Sequence, residues 1–514
     1  MKDTFYITTP IYYVNDVPHI GHAYTTIAAD SLARYMRMAG RRVLFLTGTD
    51  EHGLKVEKAA RESGETPREL ADRVVMRFKT LWQELNISHD DFIRTTQQRH
   101  IETVKSFFHK VSAKGDIYLG QYEDWYCVPC ESFWTETQLH EGVCPDCHRP
   151  VERLKEESYF FRLSRYQQPL LEYYKNHPDF IRPESRYNEI VSFVESGLRD
   201  LSISRTTFSW GIPLPGSKNH IFYVWFDALL NYISALDYST TGERFSSFWP
   251  ADVHIIGKDI LRFHAVYWPA FLMSAGLPIP RKVFAHGWWT IEGKKMSKSL
   301  GNVIDPLDLA QQYGVDALRY FLLREVPFGL DGDYSRQAIE GRINSDLAND
   351  LGNLLSRTIG MVHKYFGGTL PDSTLGSERE ARLRSPIAAV AAEVAAAMEQ
   401  LAFHRALMSI WEYIGMVNKY IDESAPWALA KDSAQQLKLA TVMMHCVVAL
   451  RKIAVLLAPF IPSSAQRMWN ALAGEGNVSE QRFETIAHWD NLQHGTMIAK
   501  IPALFPRIQA ERKT

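Results

Sequence analysis

Residues 4–46 read TFYITTPIYYVNDVPHIGHAYTTIAADSLARYMRMAGRRVLFL, and this stretch decides the fold. Thr4 to Thr8 is a β-rich run, the turn-rich IYYVNDVPHIG follows, Ala23 to Met38 has helical periodicity, and Arg42 to Leu46 is a short apolar run of strand type. Strand, helix and strand in that order make a βαβ unit, the building block of an α/β sheet. A second strand-to-helix switch lies at Val253-His-Ile-Ile256, where Gly257-Lys-Asp259 leads into a helix predicted to reach about Ala275. Between the two, residues 54–115 read as helical. Near residue 116 the chain changes to short strand-like pieces, and Ile221 to Val224 resumes a β-rich run, so an insert of residues 116–220 is expected to split one sheet. Beyond Pro306 almost everything reads as helical: Leu407, Ile410, Trp411, Ile414, Val417 and Ile421 share one face at 3.6 spacing, Ala388 to Ala397 is a strong helix former, and Gly367 to Pro386 reads as a loop.

With 514 residues the chain is too long for one core, and too long for a small binding module. Lys plus Arg (57) nearly balance Asp plus Glu (59), and 46% of residues are apolar, which excludes a disordered chain. A net charge of -2 gives no general attraction to phosphate, so any nucleic acid must be met by local patches and stacking groups. The start MKDTFYITTP lacks the pattern of a signal peptide, and a cytoplasmic protein is expected. The most apolar stretch, Leu437 to Pro462, is interrupted by His445, Arg451 and Lys452; it is expected to be a buried helix, with no membrane involved.

Four of the five cysteines form two pairs, Cys127-Val-Pro-Cys130 and Cys144-Pro-Asp-Cys147. In a reducing compartment two such turns can close a tetrahedron of thiolates around one Zn²⁺, and Pro129, Gly142 and Pro145 suit tight turns. The alternative is two chance pairs buried as small apolar side chains. Cys446, among Met443, Met444, Val447 and Val448, reads as core.

His19-Ile-Gly-His22 sits between the first strand and its helix. A helix start offers free N–H groups to a phosphate, Gly21 lacks the Cβ that would hold a nucleotide away, and two imidazoles can donate to a phosphate as charge develops. Taken alone, the pair is as compatible with a surface pair or a metal site. Gly293 to Gly301 sets Lys294, Lys295 and Lys298 among Ser297 and Ser299, cations able to follow a triphosphate as it opens and to stabilise departing pyrophosphate. A solvated lysine loop would look the same. The joint occurrence of both motifs on a split βαβ scaffold favours phosphoryl chemistry.

HIGH at 19–22 and KMSKS at 295–299 are the two signatures of class I aminoacyl-tRNA synthetases. Over essentially the whole chain the sequence resembles the methionyl-tRNA synthetase family, most tellingly in TTPIYYVNDVPHIGHAY (8–24), LTGTDEHG (46–53), YVWFDALLNY (223–232), HIIGKDILRFHAVYWPA (254–270) and KMSKSLGN (295–302). The resemblance implies ATP-dependent activation of methionine to methionyl-adenylate with release of pyrophosphate. Transfer to the 3′ end of tRNA(Met), initiator and elongator, would follow, with Mg²⁺ accompanying ATP. It implies a Rossmann-type parallel sheet split by a zinc-bearing insert and followed by a helical bundle. The boundaries are 1–115 and 221–290 for the two halves, 116–220 for the insert, 291–345 for the KMSKS loop and stem-contact region, and 346–514 for the anticodon-binding domain. His19, His22, Lys295 and Lys298 would be catalytic, and Gly21, Gly257, Asp259, Ser297 and Lys298 would bind ATP. Ile11, Tyr13, Trp225, Ala228, Tyr232, Ile260 and His264 would line the methionine side chain, with Asp50 holding its ammonium. Cys127, Cys130, Cys144 and Cys147 would hold one structural zinc, and Asn353, Arg357 and Trp427 would read the anticodon.

The residues themselves fit these roles without requiring them. Trp225, Tyr232, Phe263, His264 and Trp268 make an aromatic wall suited to a thioether, and equally suited to a core. Asp259 can accept from ribose hydroxyls or simply cap a helix. Asn353 and Arg357 stand one helical turn apart, and Trp427 can stack on a base, but a polar helix face and a core tryptophan explain them too. The leucine, isoleucine and valine enzymes of the class carry a larger editing insert, and the cysteine enzyme a cysteine before HIGH; neither feature is here. A zinc-stabilised nucleic-acid-binding protein without catalysis leaves HIGH and KMSKS unexplained. Ending at Thr514 without an appended module, the chain is expected to be a monomer.

Overall fold

The computed structural model describes residues 3–15, 17–130, 132–134, 136, 139–145, 147–240, 242–291, 294–295, 304–374, 376–489 and 492–509. The chain divides into two compact units, residues 1–29 with 43–287, and residues 30–42 with 288–514.

The first unit is built on β1 (Thr4–Tyr13), α1 (Ile20–Met38) and β2 (Arg42–Asp50). Both strands run further than their apolar centres predict. Thr9 Oγ1 donates to Thr47 Oγ1 at 2.8 Å and Tyr12 shares a 2.8 Å hydrogen bond with Thr26, so polar residues extend the strands because their hydroxyls pair inside the fold. After α2 (Leu54–Ser63) and α3 (Pro67–Glu84), the latter opened by a Thr66/Glu69 capping box, comes β3 (Asp91–Arg94). This strand lies inside a stretch that reads as helical; four residues are too few to show a period of two. It pairs in parallel with β2, Leu46 opposite Asp91 and Thr49 opposite Arg94. The six-stranded sheet runs β3, β2, β1, Val253–Gly257, Val283–His286, Ile181–Arg182. From β1 outward to Ile181–Arg182, neighbouring strands pair in parallel.

The strand-rich region after α4 (Gln98–Ala113) differs from the expected clean insert over 116–220. Its four-stranded sheet, with Ile117–Cys127 against Glu152–Phe161 as the long antiparallel pair, is separate from the parallel sheet. Ile181–Arg182, however, returns to form the edge of the parallel sheet beside Val283 and Phe284. Ile221–Phe222 does not resume that sheet, since it pairs antiparallel with Ser204–Arg205. Two-residue strands carry too little pattern to name a partner. The helix expected after Gly257 is a 3₁₀ turn (Lys258–Ile260), a π segment (Phe263–Tyr267) and an α-helix (Trp268–Ala275). One large aromatic core, including Phe107, Phe161, Phe226 and Phe271, joins the strand-rich region to the sheet.

The second unit opens with a short sheet of Trp289–Ile291, Lys294–Lys295 and Gly332–Tyr334 and is otherwise helical. On the helix Phe403–Ser424, Leu407, Ile410, Ile414, Val417 and Ile421 are fully buried, while Trp411 is half-buried, its ring 4.5 Å from that of Tyr320. The loop expected over 367–386 contains a helix, Glu378–Arg384, started by the capping box of Ser377 and Glu380. Residues 433–457 are long and apolar enough to cross a membrane, contrary to the reading from their charges, but 94% of their most apolar 18-residue window is buried within the fold. Cys446 lies in it, fully buried.

Candidate active site

β1 and Val253–Gly257 lie side by side, and the chain continues from them to opposite sides of the sheet, to β2 and to Val283–His286. This is the topological switch point of an open parallel sheet, where the strand ends leave a crevice for a ligand. His19 and His22 stand at the start of α1 beyond the end of β1, their rings stacked with centroids 3.8 Å apart. The backbone N–H of Gly21 donates to His19 Nδ1 and that of His19 to His22 Nδ1, both at 3.1 Å. With Nδ1 accepting, each neutral ring carries its proton on Nε2. Burial, then the neighbouring His19, pushes the pKa of His22 well below its ordinary value. A Cβ on Gly21 would meet the His19 ring at 3.0 Å, so the glycine makes room for the first histidine's own side chain.

Across the switch point, a Cβ on Gly257 would lie 2.6 Å from Asp259 Oδ1. Glycine is therefore what lets this exposed carboxylate fold back over the strand end. The expected pocket residues gather nearby. The Trp225 ring, on the helix Val224–Leu229, stacks on that of Phe263 at 3.7 Å and 6°. The His264 ring meets Trp225 edge-on at 6.2 Å. His264 Nδ1 donates to the carbonyl of Ile260 at 2.9 Å, so its Nε2 accepts from the Tyr232 hydroxyl at 2.7 Å. Burial lowers the pKa of His264 to about 4 and leaves it neutral. Ile11, Tyr13 and Ile260 pack against the cluster holding Trp225 and Tyr232; Ala228 is buried, as is Asp50 at the end of β2.

In the four-stranded sheet, the sulfur atoms of Cys127, Cys130, Cys144 and Cys147 all lie within 4.8 Å of one another. Cys127 and Cys147 are 3.5 Å apart and Cys130 and Cys144 3.9 Å, too long for disulfides. Trp134 packs against this cluster, and the Arg262 guanidinium lies between it and Phe193, 4.9 Å and 4.3 Å from the two rings. One cation thus joins the cysteine hairpins to the segment carrying His264.

In the helical unit, Asn353 is exposed at the first position of the helix Asn353–Phe366. It borders a cleft of about 280 Å³ lined also by Asn349, Ser356, Phe505 and Arg507. Arg357 donates to Asp422 Oδ1 at 2.8 Å and lies 5.9 Å from the ring of Trp427, which is 44% exposed and is not a core residue. Lys295 occupies the strand Lys294–Lys295, opposite Thr290. Ser297 and Lys298 lie outside the described residues.

A family model described as tRNA synthetases class I (M) matches residues 5–155 and 149–359, and one described as the anticodon binding domain of methionyl tRNA ligase matches 370–514. The chain belongs to the methionyl-tRNA synthetases. It is 53% identical to the methionine–tRNA ligase of Caldanaerobacter subterraneus subsp. tengcongensis, over all of this chain and 80% of that protein. It is 48% identical to that of Thermotoga maritima, over 99% and 81%. The structure of Mycobacterium tuberculosis methionyl-tRNA synthetase in complex with methionyl-adenylate superimposes with a TM-score of 0.95 at 46% identity, covering 99% of this chain and all of the other.

In this synthetase the sequence reading missed the shell around Asp50. Glu51, fully buried, accepts from Thr49 at 2.8 Å, from Arg94 at 2.6 Å and from Thr96, while Trp210 Nε1 donates to its carbonyl at 2.5 Å. Arg262 and the lining of the cleft beside Asn353 were missed as well. The run LTGTDEHG, with three ionisable residues after an apolar strand, was the available signal for the first; Arg262 and the cleft residues are brought together only by the fold.

Proposed function

We propose that the residues gathered at the switch point carry the methionine–tRNA ligase reaction, which this chain performs as a member of its family. A carboxylate oxygen of methionine attacks the α-phosphorus of ATP, the bond to the β-phosphate oxygen breaks, and pyrophosphate leaves. A hydroxyl of the terminal ribose of tRNA then attacks the adenylate carbonyl and AMP leaves. His19 and His22 direct Nε2–H donors at the phosphate where charge builds up. Lys295 and Lys298 stabilise the leaving pyrophosphate, assisted by Ser297. Asp259 accepts from the ribose, with Gly21 and Gly257 giving the nucleotide access. The wall of Ile11, Tyr13, Trp225, Ala228, Tyr232, Ile260 and His264 holds the thioether, and Asp50 the ammonium. Mg²⁺ bound with the triphosphate would neutralise its charge.

The four thiols fit zinc. Zn–S bonds of about 2.3 Å imply S···S edges of about 3.8 Å in a tetrahedron, and two of the pairs are 3.5 Å and 3.9 Å apart. Burial raises the Cys127 thiol to about 12, so a cation is needed to hold that group as a thiolate. Cys127, Cys130, Cys144 and Cys147 fill all four positions, and the ion's contribution is structural. Asn353, Arg357 and Trp427 read the anticodon of initiator and elongator tRNA(Met) in a domain over 346–514. Residues 291–345 form the loop and stem-contact region, 1–115 and 221–290 the catalytic halves, and 116–220 the insert, apart from its edge strand. We take the protein to be a cytoplasmic monomer that works away from membranes.

The observation that carries the active-site reading is the pairing of two Nε2–H imidazoles at the switch point with a buried aromatic pocket beside Asp50. Pyrophosphate exchange into ATP, run with each amino acid in turn, tests it: methionine alone should support fast exchange, and loss of both HIGH donors should abolish it while methionine still binds. Unchanged exchange in a His19→Ala/His22→Ala protein would overturn the assignment.

A further inference from the structure

Behind the proposed methionine pocket lies a buried polar chain. Asp227, fully buried on the helix Val224–Leu229, is approached at Oδ2 by His52 Nδ1 at 2.7 Å and at Oδ1 by His100 Nε2 at 2.6 Å. His52 belongs to the loop after β2, and His100 to α4. On its other nitrogen His100 meets Ser234 Oγ at 2.7 Å, and that hydroxyl reaches the carbonyl of Leu230 at 2.6 Å. Burial alone would raise the Asp227 carboxyl, yet the two histidines hold it down to about 2, so it is an anion tied at both oxygens.

Deep ion pairs are weak contributors to stability, since apolar side chains of the same volume do as well or better. What such a network supplies is geometry. It joins the two elements whose separation matters to an amino acid spanning the pocket: the end of β2 bearing Asp50, two residues before His52, and the helix bearing Trp225 and Ala228. At its far end it reaches Ser234, two residues from Tyr232. The loop is pinned further by the bonds to Glu51 and by the amide of Gly53, which donates to the carbonyl of Trp210 at 3.0 Å. We propose that His52, Asp227 and His100 form a strut that fixes the distance from the ammonium anchor to the thioether pocket, and so sets the side-chain length the enzyme accepts. They are positioning residues, and the inference rests on the pocket assignment made above.

One methylene is worth about 10- to 200-fold in a pocket of fixed length. The test is pyrophosphate exchange with methionine and with ethionine, one methylene longer, with active sites counted by the adenylate burst. In His52→Ala, KM for methionine should rise roughly tenfold, KM for ATP should stay within about twofold, and the kcat/KM preference for methionine over ethionine should shrink several-fold. His52→Asn, whose amide nitrogen can take the place of Nδ1, should restore both. Ser234→Ala loosens only the far end and should give a smaller version of the same pattern, which keeps the test open if His52→Ala does not fold. Variants with fewer active sites but unchanged methionine KM and unchanged preference would overturn the strut and leave the network as ordinary core. Asp50→Asn and Trp225→Ala serve as references. If neither alters methionine KM, the pocket assignment itself fails; if both do and His52→Ala does not, only the strut falls.

Discussion

Trp427→Ala separates the two ends of the chemistry. The indole is 44% exposed, so just over half of it is shielded. At ~25 cal/mol per Å² and ~250 Å² for a whole tryptophan, truncation removes at most ~3.5 kcal/mol of stability, below the ~5–15 kcal/mol of a typical domain. The protein should therefore remain folded. If the exposed face stacks on an anticodon base, its loss costs ~1–3 kcal/mol of tRNA interaction, roughly 5- to 150-fold in kcat/KM for aminoacylation. Arg357 is available to the same base, because its bond to Asp422 joins two partly exposed side chains, a pair worth ~0–1 kcal/mol. The assay is paired: aminoacylation of tRNA(Met), and methionine-dependent pyrophosphate exchange without tRNA. Exchange should hardly change. Trp427→Phe keeps a ring face and should recover most of the loss, whereas Trp225→Ala should damage both assays through methionine KM. Equal loss in both assays for Trp427→Ala, or an unchanged aminoacylation kcat/KM, would refute the reasoning.

Lys298→Ala should lower kcat for pyrophosphate exchange far more than it weakens methionine binding, because a cation on the departing pyrophosphate acts mainly in the transition state; equal kinetics with a lower Tm would make the loop structural. Cys144→Ser should lower bound zinc, measured by metal analysis, and cut adenylation only in part, since the ion is assigned no catalytic step and Arg262 couples the cysteine hairpins to the His264 segment. His264 is neutral in the fold with its pKa lowered to about 4, so the stability it contributes is present above about pH 6.5 and is lost as pH falls through about 4. The stability difference between wild type and His264→Gln, followed by urea unfolding, should accordingly shrink by up to about 3 kcal/mol across that window, and a constant difference would refute the neutral assignment.

The parts of this molecule legible in its sequence are those whose chemistry is local. Two CxxC pairs announce a four-sulfur cluster because ligand type and spacing travel together, and HIGH is readable because its glycine and histidines must share one helix start. The strand Ile181–Arg182 is not legible: two residues carry no periodicity, and its partner Val283 lies about a hundred positions away. The exposure of Trp427 was equally hidden, since a Pro-Trp pair at a helix start looks the same whether the indole faces a core or solvent. Asp227 reads as an oddity in an apolar helix, and only the fold brings His52 and His100 to its two oxygens.

The histidines show how the site divides its electrostatic labour. His19 and His22 accept at Nδ1, while His264 donates there, so the rings turn opposite nitrogens to their surroundings. A charged His264 would repel the methionine ammonium that Asp50 is assigned to hold. Neutral N–H donors at HIGH, by contrast, can strengthen their hydrogen bonds as negative charge gathers on the α-phosphate without binding the resting triphosphate as tightly as fixed cations would. The permanent positive charge is assigned to Lys295 and Lys298, which follow the second half of the sheet in sequence. On that assignment, scaffold imidazoles favour the transition state over bound ATP. The corollary is that replacing His22 by Lys, which keeps a donor and adds a charge, should tighten ATP binding while lowering kcat.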